Sequence, residues 1–231
     1  PTSSPHVNRA LVYLPFAVWY PYTLYKNTHL AHHVEQTLTL PGLDPESRYV
    51  TQESWQQSKP YERAILWVNK TIAGRVLIGV PVSLWLLLSN DVFTASRQQR
   101  CSGLMWLTHT TFLIMILYAV DRYSALSAIE YIAFVSVPAM AIGLVRSFYE
   151  HRPAKDSAHR TVLNESKGPL TWLFLNLNLH LVHHDMPGLP WYYLPRVYKS
   201  KRKEWIERSD GFVVMGYSEL FRTHLIRPVD C

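Results

Sequence analysis

Residues 104–145 read LMWLTHTTFLIMILYAV, then DRYS, then ALSAIEYIAFVSVPAMAIGLV: two apolar runs joined by a short polar link. A helix crosses a bilayer core with about 17–25 residues, and the runs at 104–120 and 125–145 each reach that length. Asp121-Arg122-Tyr123-Ser124 leaves room only for a turn, so the stretch reads as a transmembrane helical hairpin. A mean hydropathy near zero hides this, because the rest of the chain is polar and basic. The block at 74–93 is different. Its uninterrupted part, 76–88, is short for a span, has Arg75 at its edge and contains Pro81. It reads as an interfacial or re-entrant helix.

Outward from the hairpin, the same pattern stands on either side: His29-Leu30-Ala31-His32-His33 and His180-Leu181-Val182-His183-His184. On a helix the first histidine of each box has the others at i+3 and i+4, so all three share a face. Neutral imidazole is the commonest side-chain metal ligand. An all-nitrogen set suits iron, zinc, copper or nickel rather than magnesium or calcium. One catalytic zinc needs three protein ligands and an open position, and six histidines exceed that. The adjacent pairs His32/His33 and His183/His184 point about a quarter-turn apart on a helix of 3.6 residues per turn, so the boxes suit a dinuclear centre. His151, just after the hairpin, is expected at the same surface as a seventh ligand. Glu150 is a candidate partner for His151, Asn176 for a water one turn before His180, and Asp185 for a neighbouring imidazole. His109 stands alone on an apolar helix and reads as a hydrogen-bonded core residue. His159 and His224 read as surface histidines.

Two boxes on one centre must lie on one side of the membrane, which requires an even number of crossings between them. The hairpin supplies two, leaving 74–93 out of the count. Arg97, Arg100, Arg146, Arg152, Arg160 and the basic run 196–203 then face the cytoplasm, as the positive-inside rule expects. The expected architecture is mainly α: one domain over 1–231, with a cytoplasmic histidine-rich cap built from 1–70 and 146–231. Within that cap, 171–184 and 196–208 are expected to be helices, and 34–62 a polar loop with short helical pieces. Trp19, Tyr20, Tyr22 and Tyr25, and later Trp191, Tyr192 and Tyr193, are of the types that favour a membrane interface.

A formal charge of +6 suits anionic headgroups or an acidic redox partner. Nucleic acid is the weaker reading and is not expected as a partner, because the basic residues interrupt apolar blocks and form no long stripe. Two cysteines, Cys101 and Cys231, give neither a disulfide framework nor a Cys-rich zinc site.

The boxes, with Tyr22-Thr23-Leu24-Tyr25 before the first, Arg146-Ser147-Phe148-Tyr149-Glu150-His151-Arg152 after the hairpin, and Asn176-Leu177-Asn178-Leu179 before and Pro187-Gly188-Leu189-Pro190-Trp191-Tyr192-Tyr193-Leu194-Pro195 after the last, resemble the integral-membrane fatty acid desaturase/hydroxylase superfamily, in particular its bacterial members. The resemblance covers nearly the whole chain. It implies a non-haem di-iron enzyme of the inner membrane, with two iron ions and O2 as co-substrate, that removes hydrogen from a lipid acyl chain. Desaturation follows if a second hydrogen leaves; a lipid or carotenoid hydroxylase or ketolase follows if oxygen is inserted. By the resemblance His29, His32, His33, His151, His180, His183 and His184 are iron ligands. The chain carries no dinucleotide-binding glycine motif, iron–sulfur cysteine cluster or haem-attachment sequence, so electrons are expected from a small ferredoxin-like protein. The family also uses a histidine box upstream of these. His6 is isolated, and the chain opens Pro1-Thr2 without methionine. The sequence is therefore expected to lack an N-terminal part, and the alternative of an inactive metal-binding membrane protein stands beside the enzyme.

Overall fold

The computed structural model describes residues 4–98 and 101–229. Arg100 and Cys231 lie outside the described residues, as do the side chains of Arg97 and Cys101. The chain divides into two compact units, residues 1–27 with 77–142, and residues 28–76 with 143–231.

The first unit contains the hairpin. Helix α1 (Pro5–Tyr13) starts on Ser4, whose side chain accepts from the Val7 amide. α2 (Tyr22–His32) leads out of the unit, α6 (Gly79–Gln98) leads in, and α7 (Cys101–Tyr123) is the first hairpin arm. The second arm is one helical run made of α8 (Ala128–Tyr131), a π-helical turn (Ile132–Ser136) and α9 (Val137–Arg146). Ser127 and Glu130 form a capping box at its start, which places Glu130 at the helix end rather than mid-span. The π turn ends two residues before Pro138, which has no N–H and crowds the carbonyl of Phe134 inside that turn; widening the turn relieves the clash. Pro81 breaks nothing, because it sits in the first turn of α6, where amides need no intrahelical partner.

Gly103–Tyr123 and Ala128–Arg146 are each long and apolar enough to cross a membrane. Only 6% of the first window and 17% of the second is buried, which argues against a hairpin core inside a soluble protein. Residues 1–27 group with this unit rather than with the histidine-bearing one, a correction to the expected cap. The stretch after α1 docks on both arms. Trp19 Nε1 donates to Ser136 O at 3.1 Å, Tyr131 Oη donates to Phe16 O at 2.7 Å, and His109 Nε2 donates to Val18 O at 3.0 Å. His109 is thus a hydrogen-bonded interior residue.

In the second unit, α3 (Gln52–Gln57), α4 (Pro60–Asn69) and α5 (Ile72–Leu77) follow the first box. After Arg146 come β1 (Leu163–Asn164), α10 (Pro169–Leu173), α11 (His180–Asp185), α12 (Leu194–Ser200), α13 (Arg202–Arg208), β2 (Val213–Val214) and α14 (Tyr217–His224). β1 and β2 pair in parallel, Leu163 opposite Val213. Beneath α11 lies a core of Leu163, Leu179, Leu181, Val182, Leu194 and Tyr198. A second core gathers Ile72, Phe148, Val162, Phe174 and Tyr217.

Two expected helices are each divided. The run 171–184 stops at Leu173, and Leu175 and Asn176 adopt positive φ before α11 begins. The run 196–208 breaks at Lys201 (φ −137°, ψ 32°) between α12 and α13. Apolar residues packed on the cores stand on both sides of each break, Phe174 and Leu179 around the first and Tyr198 and Trp205 around the second, so apolar spacing alone does not reveal the breaks.

Gly74 allows α5 to fold back on α4. A Cβ there would lie 1.8 Å from Val68 O and 2.9 Å from Val68 Cγ1. Backbone cannot yield as a flexible side chain can. Gly74→Ala is expected to lower stability by about 3 kcal/mol, read as an earlier thermal transition of the purified protein in detergent. An unchanged transition would contradict this packing.

Candidate metal centre

All seven expected histidines lie in the second unit, delivered by three local devices. α2 runs through the first box to His32, and the His33 amide still bonds to His29 O at 3.1 Å. α11 carries the second box. Its amide at Leu181 is tied to Val162 O at 3.1 Å, which buries Leu181 and Val182 and turns His180, His183 and His184 the other way. His151 sits in an isolated antiparallel bridge with Thr161.

The histidines form two groups. His32, His151, His180 and His184 present ring nitrogens that all lie within 4.8 Å of one another, and His29, His33 and His183 do the same. The division falls between the adjacent residues of each box: His32 and His184 go to the first group, His33 and His183 to the second. The groups abut, with His33 and His184 stacked at 4.2 Å between centroids and 14° between planes.

The distances suit metal ions. In the first group Nε2···Nε2 separations are 3.1 Å for His32–His151, His151–His180 and His180–His184. In the second, His29 and His33 Nε2 are 3.2 Å apart. Ligands about 2.1 Å from one ion at 90–109° stand about 3.0–3.4 Å apart. Hydrogen bonding alone serves this arrangement poorly. Each neutral ring offers one N–H; with His32 Nδ1 bonded to Asp44 and its Nε2 an acceptor, a single His151 proton would have to serve both His32 and His180.

Carboxylates set which nitrogen faces inward. His32 Nδ1 donates to Asp44 Oδ1 at 2.9 Å, leaving its Nε2 lone pair for the group. His29 Nδ1 donates to Glu46 Oε1 at 3.0 Å. Asp44 is itself held by the amides of Thr39 (2.9 Å) and Glu46 (2.8 Å). Glu150 Oε1 lies 3.4 Å from His180 Nδ1 and accepts from Arg146 Nη1 at 2.8 Å. The His180 contact has ion-pair distance without hydrogen-bond alignment, since Nδ1 has no hydrogen-bond partner among the described residues.

The electrostatics agree. Burial, then the neighbouring rings, lower His33 to about 4 and His183 to about 3, and hold His151, His180 and His184 well below the usual range. These rings are neutral near pH 7, with lone pairs free for a cation. Burial also pulls His32 down, but the Asp44 hydrogen bond and the charges of Glu46, Asp44 and Glu150 outweigh it and raise it. Burial pushes Glu150 up to about 7 against the pull of Arg146. Positive charge is therefore welcome beside a set of neutral nitrogen donors, which is what a metal site offers.

The expected supporting residues fall differently. Glu150 meets His180 and Arg146 rather than His151. Asn176 Nδ2 donates to Trp191 O at 3.3 Å, because the helix expected to aim it at the site ends before it. Asp185 accepts from Arg208 at 3.2 Å instead of an imidazole. Sequence reasoning missed Asp44 and Glu46. Asp44-Pro45 reads as a turn, and the available signal was two carboxylates close together shortly after a histidine box.

A family model described as fatty acid desaturase matches residues 2–213. The chain belongs to the fatty acid desaturase family. Over 32 residues it is also 53% identical to the sphingolipid delta(4)-desaturase/C4-monooxygenase DES2 of Mus musculus. That stretch is 14% of this chain and 10% of the mouse protein, so the match spans about a tenth of the relative's length.

Proposed function

We propose that the protein is an O2-dependent di-iron oxidoreductase that introduces a double bond into a lipid acyl chain at a membrane surface. The observation that carries this reading is the division of seven histidines into adjoining groups of four and three, in a chain of the desaturase family with two apolar helices between the boxes. His32, His151, His180 and His184 would hold one iron, and His29, His33 and His183 the other. The irons supply the oxidising power needed to break an unactivated C–H bond, using O2. Four electrons and four protons convert O2 to two waters. The acyl chain gives two of each as its C–C bond becomes double. A small redox protein gives the other two electrons, and solvent the other two protons.

The chain's own residues bind, orient and exclude. Asp44 and Glu46 keep His32 and His29 in the tautomer that presents Nε2. Leu181, Val182 and Leu163 close the floor of the site against water. A polar cavity of about 380 Å³ is lined by one histidine of each group, His33 and His184, together with Glu35, Asp185, Ser157 and Arg208.

Both boxes belong to one compact unit, which favours an even number of crossings and leaves 74–93 interfacial. Arg146, Arg152 and Arg160 favour a cytoplasmic site, and the exposed Lys201, Arg202 and Lys203 suit an acidic electron carrier. Hydroxylation is the second reading, favoured by the mouse relative, whose name joins desaturase and monooxygenase.

Lipid analysis of cells expressing the protein tests the reading. A new acyl double bond that vanishes in His183→Ala is the expected result. A new hydroxyl selects the second reading. No lipid change from an iron-loaded protein supplied with reductant would contradict both.

A further inference from the structure

The histidine-bearing unit exposes an aromatic rim that the metal site does not use. α10 begins at Gly168-Pro169 and lasts five residues. Its Phe174 end is buried at 5%, while Trp172, Leu173 and Leu175 stand outward at 69%, 59% and 45% exposure. Trp191 packs edge-on against Trp172 at 5.8 Å, Tyr192 against Trp191 at 5.7 Å, and Tyr193 beside Tyr192 at 4.8 Å. Tyr192 and Tyr193 are half exposed. The result is a string of rings in which Trp172, Tyr192 and Tyr193 face solvent and the partly buried Trp191 joins them, backed by the buried Phe174, Leu179 and Leu194. Soluble monomers rarely expose contiguous apolar patches of this kind, and such patches mark a covered surface.

We propose that this rim, Trp172, Leu173, Leu175, Trp191, Tyr192 and Tyr193, is seated in the headgroup layer of the lipid bilayer. Three observations select lipid over a protein partner or a second copy. Trp and Tyr each join an apolar ring to a polar tip, the combination that suits the membrane–water boundary. The exposed charges flanking the rim in sequence, Lys167, Arg196 and Lys199, are cationic and match anionic headgroups. The neighbouring carboxylates are turned to their own partners, Glu165 to Arg202 and Tyr198, and Asp185 to Arg208. The later segment of the same unit begins at the end of the apolar run Ala128–Arg146, which is long and apolar enough to cross a membrane. The rim brackets α11 on both sides in sequence. Seating it fixes the depth of His180, His183 and His184 relative to the headgroups, where an acyl chain leaving the bilayer can reach them.

The inference rests on the membrane reading above, and its test separates the two. With Cys101 and Cys231 replaced by serine, single cysteines are placed by Trp172→Cys, Tyr193→Cys, Lys203→Cys and Ile114→Cys. Each variant is labelled with bimane in nanodiscs of phosphatidylcholine and phosphatidylglycerol, with or without nitroxide-labelled lipid, the nitroxide shallow for 172, 193 and 203 and at mid-chain depth for 114. Lys203, with 92% side-chain exposure, is the aqueous reference, and Ile114 the mid-span reference. A ring buried about 5–10 Å into the headgroup boundary should lose at least about half its fluorescence. That loss is expected at 172 and 193 and not at 203. Both rim sites are exposed, so the substitutions spare the core. Quenching at 114 with none at 172 and 193 would overturn the rim proposal while leaving the span intact. No quenching at 114 either would remove the membrane reading and this inference with it.

Discussion

His183→Ala is expected to cost the protein one metal ion, and His184→Ala the other. These neighbours on one short helix belong to different groups, His184 with His32, His151 and His180, and His183 with His29 and His33. Removing an imidazole from the three-nitrogen group leaves two donors. Removing one from the four-nitrogen group leaves three and an exposed lone pair on His151 or His180. Loss of supporting contacts alone lowers metal affinity about 10–100-fold, so loss of a direct ligand should exceed about 100-fold. Iron per chain should fall from two to one in each variant, and to none in the double variant. Spectroscopy should report different residual sites in the two singles, and lipid oxidation should be undetectable in both. Loss of both metals together in either single variant would contradict the partition.

The second large effect is expected at Asp44. Its two oxygens accept from His32 Nδ1, Thr39 N and Glu46 N at once. Asp44→Asn replaces one acceptor oxygen with a donor. It also removes a charge that draws a cation toward His32. The metal of the four-histidine group should bind about 10–100-fold more weakly, with a smaller effect on the other. Glu46→Gln should reverse the order, because Glu46 holds His29. A metal titration read separately at the two sites checks both. Equal weakening at both sites in Asp44→Asn would mean that the substitution merely loosens the loop.

Those two carboxylates also show where sequence reading reached its limit. The boxes were legible because helical spacing is local: i, i+3 and i+4 fix a common face without knowledge of the rest of the chain. The hairpin was legible for the same reason, through length and composition. Membership of His151 followed from its place at the end of an apolar helix. The roles of Asp44 and Glu46 depend on a loop turning back over α2, which no periodicity announces. Asn176 was placed by extending a helix from apolar spacing, and two positive-φ residues defeat that extension. Glu150 and Asp185 were identified as supporting acids, but their partners, His180 with Arg146 and then Arg208, are decided by tertiary packing. The two-residue parallel pairing of β1 and β2 is likewise a long-range contact with no local signature.

The central claim is that seven imidazoles, divided four and three, hold two irons in one protein. Metal analysis combined with iron-edge X-ray absorption on the purified protein tests it most directly. The account predicts about two irons per chain with a first shell dominated by imidazole nitrogen. A single zinc, no metal after loading under reducing conditions, or a shell containing sulfur would contradict it.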